Sequence, residues 1–244
     1  MINRTETSQT HDGTELLHLA MDDGSGQARP GVVIIPSFAN RGPVEEDHAT
    51  RLVELGYSVL VADIYGKDMV GLDVGTDEGK SKAFDTMNEK MEDRGGYVKQ
   101  QQAILDFAKA HDAFDGDKMA VMGFCFGGLC TLDLARSGAD FQVAGSFHGL
   151  LKIPNFKTEK VKPKVAVFHG WDDPMAPPAD VVALGQELTE QGACDWQIHA
   201  YGGVGHAFTN PDASKLGIDG VAYAKSAADR SWDSFCDLLA ETMR

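Results

Sequence analysis

Gly123-Phe124-Cys125-Phe126-Gly127-Gly128 constrains this chain more than any other stretch. Ahead of it, Lys118 to Met122 is a compact run, short enough for a buried strand. Behind it, Leu129, Leu132, Leu134 and Ala135 recur at helical spacing until Gly138. Gly-x-Cys-x-Gly at a strand-to-helix junction is the pattern of a nucleophile elbow, with cysteine where serine is commoner. Such a turn is tight, so a side chain at Gly123 or Gly127 would collide with the flanking strand or helix. The helix that starts there aims its unpaired N–H groups at the nucleophile and favours thiolate and oxyanion. The plainer alternative is a buried structural cysteine in a glycine-rich turn.

A chain of 244 residues suits one α/β domain with a substantial core, residues 1–244. Its 22 basic against 37 acidic residues give a formal charge of −15 without a basic cluster. That balance argues against nucleic acid and anionic membrane surfaces as partners. No apolar run approaches the roughly 20 residues of a membrane span. Met1 to Thr10 is polar and has no secretory apolar core. The four cysteines, at 125, 130, 194 and 236, show neither metal-ligand spacing nor a disulfide framework. A cytoplasmic monomer or small homo-oligomer without metal is the expectation.

Strand-like and helix-like segments alternate along the chain. Glu15 to Ala20 reads as an early edge strand. Gly31 to Ile35 is a β-branched run stopped by Pro36, the signature of a central parallel strand. Glu45 to Leu55 reads as a helix, Tyr57 to Ala62 as a strand, and Tyr97 to Ala110 as a helix. Between them, residues 66–96 form an irregular excursion with a polar helical piece carrying Phe84, Met87 and Met91; its size suits a lid. After the elbow come strands at 141–147, 164–169 and 196–201, and helices at 179–191 and 220–243. This order predicts a mostly parallel sheet with helices on both faces.

Chemistry at Cys125 needs partners. Asp172 and Asp173 follow the strand ending in His169, and His206 follows the strand ending in Tyr201. Both places lie just past C-terminal strand ends, where open α/β sheets put their sites. Nucleophile, acid, histidine is the chain order of the α/β-hydrolase triad.

The motifs Gly123 to Gly128, Gly170-Trp171-Asp172-Asp173-Pro174-Met175-Ala176-Pro177, Gly205-His206-Ala207-Phe208 and Asp63-Ile64-Tyr65-Gly66 resemble those of the dienelactone hydrolase family, the cysteine branch of the α/β-hydrolases. The likeness runs from about Gly31 to the C-terminus. It implies a single-domain α/β-hydrolase fold, no cofactor, and hydrolysis of a small ester or lactone through an acyl-cysteine. Carried over, Cys125 is the nucleophile, His206 the base and Asp173, directly before proline, the acid; Asp172 is the rival. The backbone N–H groups of Phe126 and Phe38 would form the oxyanion hole.

The departures bear on substrate. Where the resemblance implies a glutamate after the third strand, this chain has Ser37. Where it implies a substrate-binding arginine four residues past the histidine, it has Asn210. Arg94 would match a second anion-binding arginine, and Arg41 would supply charge from the opposite loop. Ser37, Trp171 and Phe208, with Phe38, are the other candidates for substrate contact, against a reading of the aromatics as core. His148 and His169, at strand ends, read as packing residues, and Cys130 as core. Two further functions share these features: small-ligand binding without turnover, and acyl transfer by the same triad.

Overall fold

The computed structural model describes residues 1–244. Its centre is β3 (Arg29–Ile35), β4 (Ser58–Val61) and β5 (Phe114–Phe124), whose runs of Val, Ile, Leu, Ala and Met are buried on both faces. Eight strands form one sheet in the order β1-β2-β4-β3-β5-β6-β7-β8. β6 (Val143–Phe147), β7 (Lys164–Gly170) and β8 (Trp196–Tyr201) extend it in parallel. β1 (Asn3–His11) and β2 (Thr14–Asp22) close the other edge as an antiparallel hairpin, with β2 also antiparallel to β4.

Alternation along β3 sorts the core into two layers. Val33 and Ile35 face α3 (Arg94–Lys109), α4 (Phe126–Arg136) and α5 (Pro178–Glu190), joining Ile104, Leu129 and Leu184. Val32 and Ile34 face α1 (Pro43–Glu54) and α6 (Lys225–Met243), joining Leu52, Phe235 and Leu239. Each such side chain contributes about 1.5–3 kcal/mol by leaving water. α4 is buried along its whole length because it lies in the middle of its layer.

The α/β-hydrolase architecture expected from the sequence is the one observed. One strand was not expected: the polar stretch Asn3–His11 pairs with β2 over nine residues, Asn3 opposite Asp22 to His11 opposite Thr14. Its burial alternates only between exposed and half-buried, so the backbone ladder rather than a hydrophobic face defines it. The irregular excursion contains a short 3-10 turn at Lys67–Met69 and α2 (Asp77–Glu92), capped by Thr76, whose hydroxyl accepts from the Gly79 N–H at 3.1 Å.

Candidate active site

Cys125 sits at the junction of β5 and α4 with φ 54° and ψ −116°, a conformation non-glycine residues rarely adopt. Its N–H is held by the Phe147 carbonyl at 3.0 Å. The flanking glycines make the turn feasible. A Cβ on Gly123 would lie 2.2 Å from the Gly127 carbonyl oxygen, and one on Gly127 would lie 2.1 Å from that of Ile35. The elbow therefore packs backbone against backbone, and its sequence is fixed by contact as much as by conformation.

Asp173 and His206 reach the same place from neighbouring strands. The loop after β7 turns at Asp173, whose Oδ1 accepts from the Met175 N–H at 2.8 Å. Its Oδ2 accepts from His206 Nδ1 at 2.7 Å, and both residues are buried. Asp172 is exposed, so Asp173 is the carboxylate that orients the ring. His206 is fixed by its own backbone, its N–H on the Gly220 carbonyl at 2.8 Å and its carbonyl accepting from Ala222 at 3.2 Å. Nε2 is buried without a hydrogen-bond partner at standard geometry. Burial alone would hold the ring neutral, but the adjacent Cys125 sulfur and the Asp173 carboxylate outweigh it and raise the His206 pKa. A sulfur near enough to act on the ring, yet short of a formed bond, is common before substrate arrives.

The opposite wall is the loop after β3. Asp63 anchors it: one carboxylate oxygen takes the Asn40 side-chain amide at 2.7 Å and the Gly66 N–H at 2.9 Å, the other the Leu17 N–H at 2.8 Å. Asn40 in turn accepts from the Ile64 N–H at 3.0 Å. This ties the Asp63 to Gly66 motif to the loop carrying Phe38, whose own N–H makes no hydrogen bond within the protein. Phe38 stacks on Phe84 of α2, ring centroids 4.5 Å apart.

Between the walls lies a cavity of about 280 Å³ lined by Cys125, His206, Ser37, Phe38 and Asn210. The excursion supplies Leu72, Val74, Phe84 and Met87 to it.

Other candidates lie elsewhere. The Arg94 guanidinium is buried against Asp133 at 2.6 and 2.7 Å and donates to the Ile153 carbonyl at 2.7 Å, so it holds α3 to α4 away from the cavity. Arg41 borders the cavity, but its guanidinium turns to Glu6 of β1 at 2.7 Å. Trp171 is an exposed surface residue off the cavity, and Phe208 is fully buried in the core below it, edge-on to His148. Phe126 is buried in the core, whereas Phe124, also buried, lines the cavity.

Two residues at the site carry no motif. His148, with φ 39°, lies edge-to-face with His206 at 5.2 Å, and its Nε2 meets the Thr209 hydroxyl at 2.8 Å. Burial, with His206 close by, drives its pKa well down, so it stays neutral. Glu45, on the first turn of α1, also lines the cavity. A glutamate three residues past Gly42 reads in sequence as a helix-start residue, and only the approach of α1 to the β3 loop reveals it. No group of His, Cys, Asp and Glu side chains is arranged to hold a metal, and no helix is long and apolar enough to cross a membrane.

The strand order, the elbow, and the acid and histidine past the next strand ends define an α/β-hydrolase. Residues 18–243 match the model of the dienelactone hydrolase family, and the chain belongs to that family. It is similar to a solved dienelactone hydrolase-like promiscuous phosphotriesterase from metagenomic libraries, with 31% identity and a TM-score of 0.90 over 100% of this chain and 99% of that one. It is also similar to a probable 2-oxo-3-(5-oxofuran-2-ylidene)propanoate lactonase of Bradyrhizobium, 25% identical over 92% of this chain and 88% of the relative. The carboxymethylenebutenolidase of Pseudomonas putida is 24% identical over 98% of this chain and 97% of its own.

Proposed function

We propose that this hydrolase cleaves a small ester or lactone through Cys125, His206 and Asp173, by way of a covalent acyl-cysteine. The observation that carries the reading is the buried 2.7 Å bond from His206 to Asp173, with Nε2 left free beside a cysteine at a strained elbow. The raised His206 pKa favours transfer of the thiol proton to Nε2. The thiolate attacks the carbonyl carbon, and Asp173 stabilises the imidazolium. The N–H groups of Phe126 and Phe38 receive the oxyanion. Losing one such donor typically costs about 2.7–4 kcal/mol. The C–O bond then breaks as His206 returns its proton to the leaving oxygen. Water attacks the thioester, giving a proton to His206, and the C–S bond breaks to release the acid and restore the thiol.

The lactonase and carboxymethylenebutenolidase relatives support a lactone or ester as substrate. The likeness to a phosphotriesterase brings in a neutral phosphate triester as a second substrate for the same nucleophile. Residues 66–96, which wall the cavity through Leu72 and Phe84, would act as its lid.

The test is hydrolysis of p-nitrophenyl butyrate and paraoxon by the wild type and Cys125→Ala, with acid-quenched mass spectrometry. A butyryl adduct on Cys125 and loss of turnover in the variant are expected. Equal rates in the two proteins would remove the cysteine mechanism.

A further inference from the structure

Glu45 shares the cavity with Cys125 but has no part in the chemistry above. It is 4% exposed; the Ser37 N–H reaches its carboxylate at 3.3 Å, and the Ser37 hydroxyl and the N–H groups of Gly42 and Glu45 itself also face it. No cation answers it. On its own helix, Glu46 pairs with Arg4 on the outside, and His48 bonds the Val44 carbonyl. Asp47 and Arg51 line a different groove. From the β3 loop, Arg41 is committed to Glu6. From α2, Lys80 donates to the Leu216 carbonyl at 3.2 Å. The remaining titratable groups on the wall are Cys125, His148, which is neutral, and His206, whose raised pKa favours a protonated ring bound to Asp173 at 2.7 Å. Around them the lining is mostly apolar, with Leu72, Val74, Phe84, Met87 and Leu150, and its neutral polar members include Ser37, Thr209 and Asn210.

We propose that Glu45 is a specificity-determining residue: set in a mostly apolar wall whose cations, Arg41 and the His206 ring, are already bound to Glu6 and Asp173, it makes this cavity accept uncharged acyl groups and turn away acyl groups that carry a carboxylate. The proposal rests on the reading of this cavity as the substrate site. The reason is electrostatic. A second carboxylate brought into the cavity loses hydration and gains repulsion from Glu45, while the cations of the wall are held by Asp173 and Glu6. Burial pushes the Glu45 carboxyl up to about 7, so it charges across the ordinary assay range and the discrimination rises from pH 6 to pH 8.

The experiment measures binding to the Cys125→Ala protein, which does not depend on turnover. N-phenylpentanamide and N-phenylsuccinamate are unreactive amides of matched length, and the carboxylate of the second is ionised at both pH values. Their dissociation constants are compared by calorimetry at pH 6 and 8, with and without Glu45→Gln. The neutral amide is expected to bind at least tenfold tighter at pH 8. That ratio should shrink severalfold at pH 6, and Glu45→Gln should bring the pH 8 ratio down to the same value. Equal binding of the two amides at pH 8, or no binding of either, overturns the proposal. So does a pH 8 ratio that Glu45→Gln leaves unchanged, whatever its pH dependence, which would leave Glu45 a helix-start residue only. If the Gln variant does not fold, Glu45→Ala in the Cys125→Ala protein takes its place. Ester turnover by wild type and Cys125→Ala tests the nucleophile independently, so the two readings fail separately.

Discussion

Glu45→Gln should stabilise the protein, and the gain should depend on pH. The carboxyl is buried, and its pKa rises from an ordinary 4.5 to about 7, with desolvation the main cause. Below pH 4.5 both folded and unfolded chains hold the proton, and the group has no effect. Between 4.5 and 7 the unfolded chain releases the proton while the folded one keeps it, so stability falls as pH rises. Above 7 the folded chain carries a desolvated charge and the loss is complete. At about 1.36 kcal/mol per tenfold change in proton affinity, the full loss is roughly 3 kcal/mol. Glutamine has the same shape, still accepts from the Ser37 N–H, and carries no charge. The variant should therefore match the wild type near pH 4.5 and exceed it by up to about 3 kcal/mol at pH 8. Urea unfolding of both proteins at half-unit pH steps measures this. Every other carboxylate titrates alike in the two proteins and cancels in the difference. A difference that stays flat from pH 5 to pH 8 would refute the reasoning, because it would mean Glu45 is charged in the fold throughout.

Asp173→Asn should leave the fold intact and lower kcat by about 10⁴, because Asn cannot hold the Nδ1–H tautomer that its 2.7 Å bond selects; steady-state kinetics and unfolding curves check the two halves. Arg94→Ala should cost about 3–5 kcal/mol in urea unfolding, since it leaves Asp133 with half of its buried partners, while kcat on p-nitrophenyl butyrate stays near wild type. Gly127→Ala should prevent folding or abolish activity, because its methyl carbon would lie 2.1 Å from the Ile35 carbonyl oxygen; a soluble, active variant by circular dichroism and turnover would contradict the packing described. Iodoacetamide should modify Cys125 ahead of Cys194 at neutral pH although Cys194 is the more exposed, and peptide mapping reads the order.

The fold was legible where burial is written into residue type. Gly31 to Ile35 and Lys164 to His169 are β-branched runs with abrupt stops, and they became β3 and β7 nearly as bounded. The helices at 45–55 and 179–191 became α1 and α5 within two residues at each end. Asn3–His11 was not legible, since a strand half exposed on both faces alternates too weakly to show a period of two. Only its partner β2 gives it away, and that pairing is tertiary information.

The site divides along the same line. Cys125, Asp173 and His206 each sit in a local turn whose glycines and prolines record the backbone geometry, so each could be found from its neighbours in sequence. Substrate-binding residues carry no such record. Arg94 has the charge an anion site needs, but that charge is consumed by Asp133, a residue 39 positions away. Glu45 has no motif, yet it faces Ser37 across the cavity mouth because α1 begins where the β3 loop ends. Sequence therefore speaks more firmly of the bond the proposed triad would attack than of the molecule that carries it. A triad needs three residues at set turns, whereas a pocket's charge is a sum over every side chain that does or does not find another partner. In this cavity Arg41 is bound to Glu6 and the His206 ring to Asp173, while the Glu45 carboxyl has no cation of its own. That is the physical basis for expecting an uncharged substrate from a chain whose family name suggests otherwise.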